Sequence, residues 1–252
     1  MNKLNTEKQN DTFISIIVPA FNEEKILGQT IEKIIVYLSK QTYTWELIIV
    51  DDGSTDNTVK IAKDKQRKTN QNDIQIIQLS HAGKGWAIKN GMLKSKGSLK
   101  FMCDADLSMP VEQMDKFLPP ELPGSDISIG SRESLDSRRI DEPFLRHLMG
   151  RGFNLVVQII ALKGFKDTQC GFKCFKAEAA NKIFPLQRSH GFGFDVEVLF
   201  LAIRMGMKVE EVAVDWYYQQ GSKVNPIRDS FFMIRDLLLI RWNYMIGKYG
   251  KL

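Results

Sequence analysis

Cysteine is scarce in this sequence of 252 residues, which contains only Cys103, Cys170 and Cys174. An odd and small number of cysteines argues against a disulfide-stapled scaffold, and their spacing matches no metal-ligand pattern. Reduced thiols are typical of a protein in a reducing compartment. We therefore expect a cytoplasmic location and a fold that depends on its hydrophobic core.

Long apolar runs are missing as well. No uninterrupted stretch approaches the ~18 apolar residues of a membrane-spanning helix. Residues 1–12 are polar and lack the apolar segment of a signal peptide, so we interpret them as a flexible leader. These absences predict a protein that is soluble or peripheral on a membrane surface.

Internal repeats, linkers and low-complexity segments are also absent, and the composition of 43% hydrophobic and 26% charged residues is ordinary for a globular protein. We expect one domain over residues 13–225, followed by a C-terminal helical extension over residues 226–252. The net charge of +5 favours anionic partners, such as nucleic acid, phosphates or anionic lipid.

Short β-rich runs alternate with helical periodicity through the first half of the chain. The predicted strands are FISIIVP, WELIIVDDGS, DIQIIQL, SLKFMCDAD and DISIGSR. This order predicts an α/β fold with a mostly parallel central sheet and helices on both faces. Helices are expected at 143–162, around 195–205 and from 226 onwards, with further strands at CGFKCFK and KVEEVAVDWYY. Such sheets bind ligands at the carboxyl ends of their strands.

Two acidic residues, Asp104 and Asp106, follow the fourth predicted strand. Most Asp-x-Asp pairs are solvated loop acids, but two carboxylates at the end of a buried strand repel each other and call for a cation. Mg²⁺ and Mn²⁺ prefer such hard oxygen ligands and usually hold substrate phosphates at the same time. We therefore predict that Asp104 and Asp106 bind Mg²⁺ or Mn²⁺.

Polar residues also follow the first two strands. Asp51 and Asp52 end the second strand and are candidates for binding a base or ribose, although part of this segment is expected to cap a helix. Pro19 shapes the turn after the first strand, where Asn22 and Glu23 either cap the next helix or reach the same ligand.

The glycine-rich stretch HAGKGWAIKNG, which includes Lys84, opens the third helix. It does not fit the G-x-G-x-x-G pattern, because position 88 is Ile, so a dinucleotide site of the Rossmann type is poorly supported. A glycine-rich turn into a helix still places backbone N–H groups against a phosphate or sugar. We therefore include Lys84 among the substrate-binding candidates.

Taken together and in order, these motifs resemble glycosyltransferase family 2. The segments that carry the resemblance are VPAFNEE, VDDGSTDNT, GKGWAIKNG, DADLSMP and GSR. It implies a GT-A fold whose Asp-x-Asp motif holds a divalent metal on the donor diphosphate. GRGFNLVV, DTQCGFK, GFGFDVE and GSKV are similar to the branch that transfers a hexose to dolichyl or polyprenyl phosphate, and DTQCGFK, with Gln169, is most similar to its glucosyl members.

The resemblance carries several roles onto matching positions. Arg132 and Arg146 match basic residues that face the donor and acceptor phosphates, and Lys223 matches one over the diphosphate. Asp195 matches an acid that, in some family members, acts as a base or positions the acceptor. A structural role at the start of a helix is the alternative. Ser108 replaces a Gln of many mannosyl relatives, which leaves open whether a third side chain binds the metal.

The implied reaction is an inverting transfer of a hexose, with glucose from UDP-glucose the favoured donor, onto dolichyl or polyprenyl phosphate. The metal and Lys223 would stabilise the leaving diphosphate, and the anionic acceptor would need no strong base. Apolar and basic residues on the helices at 143–162 and 226–252 favour peripheral attachment to a membrane.

Several alternatives remain open at this stage. One alternative is the same reaction with GDP-mannose as donor, and another is a family 2 enzyme that glycosylates a soluble acceptor. From other classes, a nucleic-acid-binding α/β module lacks a basic run with interleaved aromatics, so no nucleic-acid partner is expected. A phosphotransfer domain gives no role to the second half of the chain.

Overall fold

The computed structural model describes residues 12–69, 73–121, 124–219 and 226–250. All but the last residue of the predicted leader lies outside these ranges. No helix within them combines the length and the apolar character that crossing a membrane requires.

Strands and helices alternate through the first half, as the hydrophobic periodicity predicts. The elements in chain order are β1 (Ile14–Ala20), α1 (Leu27–Leu38), β2 (Trp45–Asp51), α2 (Thr58–Lys68), β3 (Ile74–Gln78), α3 (Lys84–Lys94) and β4 (Leu99–Met102). The strands are rich in Ile and Val, whose branched side chains favour the extended backbone. Each of the first four predicted strands is confirmed.

The second half is less regular. Its elements are a 3-10 helix (Val111–Phe117), β5 (Ile127–Ser131), β6 (Arg138–Ile140), α4 (Phe144–Ile160), β7 (Lys173–Lys176), α5 (Ala177–Ile183), α6 (Phe194–Arg204), β8 (Val209–Ala213), β9 (Asp215–Tyr217) and α7 (Pro226–Met245). The prediction of a single strand over KVEEVAVDWYY was wrong, because the chain leaves the main sheet after Ala213. Its continuation, β9, pairs instead with β6.

The main sheet has seven strands in the order β3-β2-β1-β4-β7-β5-β8. All neighbours are parallel except β7, which runs antiparallel to both β4 and β5. The carboxyl ends of β1, β2, β4 and β5 therefore meet at one edge, and the amino end of β7 joins them there. We call this edge the ligand edge.

Helices cover both faces of the sheet, and each face has its own core. On one face, Ile16, Val18 and Phe101 pack with α1 and the 3-10 helix. On the other, Ile17 and Val50 pack with α3, α5, α6 and the buried stripe of α7. α7 also contacts α4. The predicted mostly parallel sheet flanked by helices, with a C-terminal amphipathic helix, is confirmed.

Candidate active site

The predicted acid pair lies just beyond a central strand, at the ligand edge. β4 ends at Met102, and Asp104 follows in the loop that leaves the sheet. Asp104 is half-buried, whereas Asp106 is exposed, and Oδ1 of Asp106 accepts a hydrogen bond from the backbone N–H of Ser108 at 2.9 Å. Although Asp106 is open to solvent on one side, desolvation by the surrounding protein and the charge of Asp104 raise the pKa of its carboxyl. The pair carries negative charge that a further cation would relieve.

Lys84, the first residue of α3, reaches this acid pair. Its Nζ lies 2.6 Å from Oδ1 of Asp104. Burial opposes the charge of this ammonium group, but the carboxylates of Asp104, Asp195 and Asp106 outweigh it and raise the pKa of Lys84. The candidate lysine is therefore a fixed positive charge inside an acidic cluster.

A glycine of the DTQCGFK segment packs directly on one of the acids. A Cβ atom placed on Gly171 would lie 2.2 Å from Oδ2 of Asp104 and 2.7 Å from its Cγ. No other residue fits here without moving the carboxylate. Sequence reasoning missed this role of Gly171, and the available signal was a glycine within a strand-like run, which often marks close approach of the backbone.

Asp195 forms a buried ion pair that also escaped the sequence reading. Its Oδ1 lies 2.5 Å from Nζ of Lys173, which in turn donates to the carbonyl oxygen of Cys170 at 2.7 Å. Burial raises the pKa of Asp195, while the charges of Lys173 and Lys84 act in the opposite direction. Asp195 lies in the first turn of α6 and does not cap it, because the N-cap position is Gly193.

Arg132 follows β5 at the same edge and is tied to Asp167. Its Nε donates to Oδ2 of Asp167 at 2.6 Å and its Nη2 to Oδ1 at 2.9 Å, and its backbone N–H donates to Oδ2 at 3.0 Å. Despite burial, the guanidinium charge lowers the pKa of Asp167 to about 2. The other terminal nitrogen of Arg132, Nη1, therefore makes no hydrogen bond to Asp167 and can donate to a ligand.

Arg146 lies in the first turn of α4 and is less constrained. Within the described part of the chain, its one ion pair is long, at 4.0 Å from Nε to Oε1 of Glu142. The same Glu142 is bound more closely by Arg139, at 2.6 Å. Arg146 thus retains most of its positive charge for a ligand.

The loops after β1 and β2 are joined by hydrogen bonds. The side chain of Ser54 accepts from the backbone N–H of Asn22 at 2.8 Å, and Oδ1 of Asn22 accepts from the backbone N–H of Thr55 at 2.8 Å. Oγ1 of Thr58 accepts from the backbone N–H of Glu23 at 2.7 Å. Asn22 and Glu23 are therefore brought together with the start of α2.

Asp51 and Asp52 are both buried and hold backbone groups. Oδ2 of Asp51 accepts from the backbone N–H of Gly53 at 3.2 Å, as in an Asx turn. Asp52 accepts from the backbone N–H of Ala82 at 3.0 Å and of Gly83 at 2.8 Å, and so fixes the turn that precedes Lys84. Both aspartates thus shape loops of the ligand edge.

The remaining candidates differ in position. The prediction that Pro19 shapes the turn after the first strand was wrong, because β1 continues to Ala20 and Pro19 lies within it, opposite Val50 of β2. Gln169 is half-buried, and its Nε2 lies 3.8 Å from Sδ of Met233 on α7. Lys223 lies outside the described residues.

The acid pair fits a divalent cation that is also held by a substrate. Across the ranges that the structure describes, no cluster of three or more His, Cys, Asp and Glu side chains is arranged to bind a metal alone. Asp104 and Asp106 offer hard carboxylate oxygens, and Lys84 offsets one of their two negative charges. Burial, followed by the charge of Asp104, raises the pKa of Asp106, and a bound cation would oppose both effects. Two carboxylates with phosphate oxygens as the other ligands are typical of Mg²⁺ and Mn²⁺ sites.

Comparison with known sequences places this geometry in context. Residues 15–184 match the model of the family "Glycosyl transferase family 2". The chain is 36% identical to the dolichyl-phosphate beta-glucosyltransferases of Dictyostelium discoideum, over 94% of this chain and 76% of that protein, and of Homo sapiens, over 94% and 77%. The protein of the same description from Saccharomyces cerevisiae is also 36% identical, over 96% of this chain and 79% of its own length.

Solved structures share the fold at much lower identity. Glucosyl-3-phosphoglycerate synthase from Mycobacterium tuberculosis, in complex with UDP, superposes with a TM-score of 0.64 at 19% identity, over 91% of this chain and 80% of that one. The same enzyme in complex with Mn²⁺, UDP-glucose and glycerol 3-phosphate gives 0.63 at 17% identity, over 91% and 79%.

Proposed function

This chain belongs to glycosyl transferase family 2 and is a glycosyltransferase, and on that premise we propose that it transfers glucose from UDP-glucose to dolichyl or polyprenyl phosphate. The observation that carries the proposal is the 36% identity, over nearly the whole chain, to relatives that are named dolichyl-phosphate beta-glucosyltransferases. The cluster of acids and cations at the ligand edge supplies the chemistry that such a transfer needs.

Asp104 and Asp106 would hold Mg²⁺ or Mn²⁺ together with the donor diphosphate. Bound there, the metal supplies electrostatic stabilisation of the negative charge that grows on the leaving group. A solved structure of the same fold contains both Mn²⁺ and UDP-glucose. Gly171 supports the arrangement, because the absence of a side chain leaves room for the carboxylate of Asp104 in its observed position.

The chain's own cations assist at both ends of the reaction. An oxygen of the acceptor phosphate forms a bond to the anomeric carbon of glucose while the bond from that carbon to the diphosphate oxygen breaks, so the configuration inverts to a β-linked product. Lys84 lies beside the acids and favours binding of the diphosphate, and we assign the same task to Lys223 from the family resemblance. Arg132 and Arg146 hold the acceptor phosphate against the repulsion of the donor.

A strong general base is unnecessary, since the acceptor phosphate is already ionised. We therefore assign Asp195 a positioning role. Its carboxylate is buried and bound to Lys173 at 2.5 Å, so it balances the charges of Lys173 and Lys84 beneath the acid pair. Asp195 is only 3% exposed, so it is not placed to receive a proton from a bulky lipid phosphate.

The loops after β1 and β2 are the proposed nucleotide side of the site. Asn22, Glu23 and Asp51 lie at the ligand edge, and Pro19 and Asp52 fix the backbone around them. Gln169 lies on the opposite side, next to Gly171 and α7, where a sugar or acceptor would pass. These residues remain proposed donor and acceptor contacts.

The exposed apolar surface of α4 and α7 fits a lipid acceptor. On α4, which carries the phosphate-binding candidate Arg146, Phe144 is 79% exposed and Leu148 is 57% exposed. On α7, Leu238 and Trp242 are 56% and 55% exposed, and the two helices touch. Apolar side chains next to basic ones are typical of helices that lie in a membrane interface.

We further propose that the enzyme is peripheral on the cytoplasmic face of a membrane. Its three cysteines are free thiols, which suits a reducing compartment. In this arrangement residues 13–225 form the catalytic domain, residues 226–252 are an extension that contacts lipid, and residues 1–12 are a leader without a part in catalysis.

A donor panel tests the substrate assignment. The full chain would be incubated with Mn²⁺, a polyprenyl phosphate and either UDP-glucose or GDP-mannose, and the lipid fraction analysed for hexose. Transfer from UDP-glucose alone is expected. Preferential transfer from GDP-mannose would refute the glucose assignment while keeping the enzyme class.

A further inference from the structure

Two arginines of the proposed acceptor site converge on one pair of aromatic rings. The Cζ atoms of Arg132 and Arg146 lie 5.7 Å and 5.8 Å from the ring centre of Trp216, and Cζ of Arg146 lies 5.0 Å from that of Tyr218. The two ring centres are 6.1 Å apart. These distances fall within the range of cation–π attraction, about 6 Å. We call Trp216 and Tyr218 the ring platform.

The ring platform is held rigidly. Trp216 is buried and belongs to the core on one face of the sheet. The backbone N–H of Tyr217 donates to the carbonyl oxygen of Ser108 at 2.8 Å, and that of Tyr218 donates to Ile140 at 2.9 Å. The rings are therefore anchored between the loop that carries the acid pair and strand β6.

Of the arginines near the ring platform, Arg146 has the weakest contacts with carboxylates. Arg132 is bound by the buried Asp167 through two side-chain hydrogen bonds. Arg139 is held between Glu133 and Glu142, at 2.5 Å and 2.6 Å.

By contrast, Arg146 has only the 4.0 Å approach to Glu142 among the described residues, and its main neighbours are the two rings. A ring face attracts a guanidinium group without neutralising its charge. The platform therefore restrains the arginine and leaves its donors available to a phosphate.

We propose that Trp216 and Tyr218 are positioning residues for the acceptor: they hold Arg146, and with it the outer edge of Arg132, in the orientation that grips the phosphate of a prenyl phosphate. This inference rests on the proposed function, since it assigns the arginines to the acceptor. It assigns a role to two aromatic residues that follow β8 and that take no direct part in the reaction.

The rings act through the arginines and do not touch the reacting atoms. Removing a ring would leave both guanidinium groups charged but free to turn away. The expected defect is a weaker acceptor interaction with little change in donor binding. The magnitude of a cation–π contact predicts a weakening of about 3- to 30-fold per ring.

Binding of farnesyl phosphate, measured by calorimetry on the full chain without donor, tests the proposal. Trp216→Leu and Tyr218→Leu should each weaken it by the stated factor, whereas Trp216→Phe and Tyr218→Phe should stay within about twofold of wild type, because a ring remains. Binding of UDP with Mn²⁺ should be unchanged in all four. Phe200→Leu is the matched control, because Phe200 is a buried ring 5.2 Å from Arg204, outside the proposed site.

Two results would overturn the proposal: unchanged farnesyl phosphate binding in both leucine variants, or no binding by the wild type. If Trp216→Leu fails to fold, Tyr218→Leu carries the test, since that ring is only half-buried. Failure of the proposed function is a separate outcome, in which the wild type binds farnesyl phosphate but transfers no glucose to a polyprenyl phosphate. In steady-state assays the leucine variants should raise KM for the lipid phosphate and leave kcat nearly unchanged, which a general loss of structure would not do.

Discussion

The ammonium group of Lys84 lies 2.6 Å from a carboxylate oxygen of Asp104. The contact joins the start of α3 to the loop after β4, so a residue of the glycine-rich turn completes the acid cluster. Positive charge at this position offsets part of the repulsion between Asp104, Asp106 and an incoming diphosphate.

Lys84→Met should therefore impair the enzyme without unfolding it. Loss of a preorganised charge beside a leaving group lowers turnover by about 100-fold or more, and UDP should become a weaker product inhibitor. Turnover at saturating UDP-glucose measures the first effect, and inhibition by added UDP at subsaturating UDP-glucose measures the second. Lys94→Met, at the exposed end of the same helix, is the control and should behave as wild type. Equal kinetics in the two variants would show that Lys84 has no role in the active site.

Gly171→Ala should displace Asp104. The new methyl group would lie 2.2 Å from Oδ2 of that residue, and a displacement of about 1 Å in an active site costs on the order of 100-fold in rate. Circular dichroism and turnover, measured on the same preparation, separate this effect from misfolding. Gly152→Ala is the matched control, because among the described residues no atom beyond its chain neighbours and its own helix backbone lies within 4 Å of the added group. Full activity of Gly171→Ala would show that Asp104 tolerates the shift.

The pair of Arg132 and Asp167 predicts a pH dependence of stability. The pKa of Asp167 falls to about 2 from an ordinary value of 3.8. Because the folded-state pKa is the lower one, the pair contributes its stability above about pH 4 and loses it as the pH falls towards 2. The contribution is about 2 kcal/mol, at ~1.4 kcal/mol per pKa unit.

Urea unfolding of Asp167→Asn checks this sign. The variant should be less stable than wild type at pH 7, and the difference should shrink between pH 4 and pH 2. Asp215→Asn is the control, because its partner Arg138 is 73% exposed at the side chain and surface pairs contribute little. A difference between wild type and Asp167→Asn that stays constant down to pH 2 would contradict the assigned pKa shift.

Trp242→Glu should weaken binding to anionic vesicles. Trp242 and Val36 are both 55% exposed, but Val36 lies on α1, away from α4 and α7. In Trp242→Glu the apolar ring that would enter the lipid interface is lost, and the new carboxylate is repelled by anionic head groups. This variant should therefore bind vesicles less than Val36→Glu does. Vesicle flotation at low and high salt measures this, and equal binding of the two variants would place the lipid-contacting surface elsewhere.

Much of the fold was readable from the sequence because the signals are local. The runs of Ile and Val in β1 and β2 are read from neighbouring residues, as are the acids at the ends of β2 and β4. Parallel strands bring their carboxyl ends to one edge. The candidates Asp104, Asp106 and Lys84 were found in this way. The antiparallel insertion of β7 and the break between β8 and β9 depend on distant partners and were not predicted.

The same reasoning explains what was missed in the site. The partners Lys173 and Asp195 are 22 residues apart, and Arg132 and Asp167 are 35 apart. Pairs at such separations leave no periodic trace in one sequence. A lysine inside the apolar run GFKCFK was the only hint, since a buried charge requires a partner. Gly171 and Trp216 act through tertiary contacts alone.

The central claim is tested most directly by following glucose from UDP-glucose into lipid. The wild-type chain, with Mn²⁺ and a polyprenyl phosphate in detergent, should release one UDP for each glucose that appears as β-linked polyprenyl phosphoglucose. Excess chelator should abolish both products, and readdition of Mn²⁺ or Mg²⁺ should restore them. UDP release without glucose in the lipid fraction, or undiminished transfer in the chelator, would contradict the account.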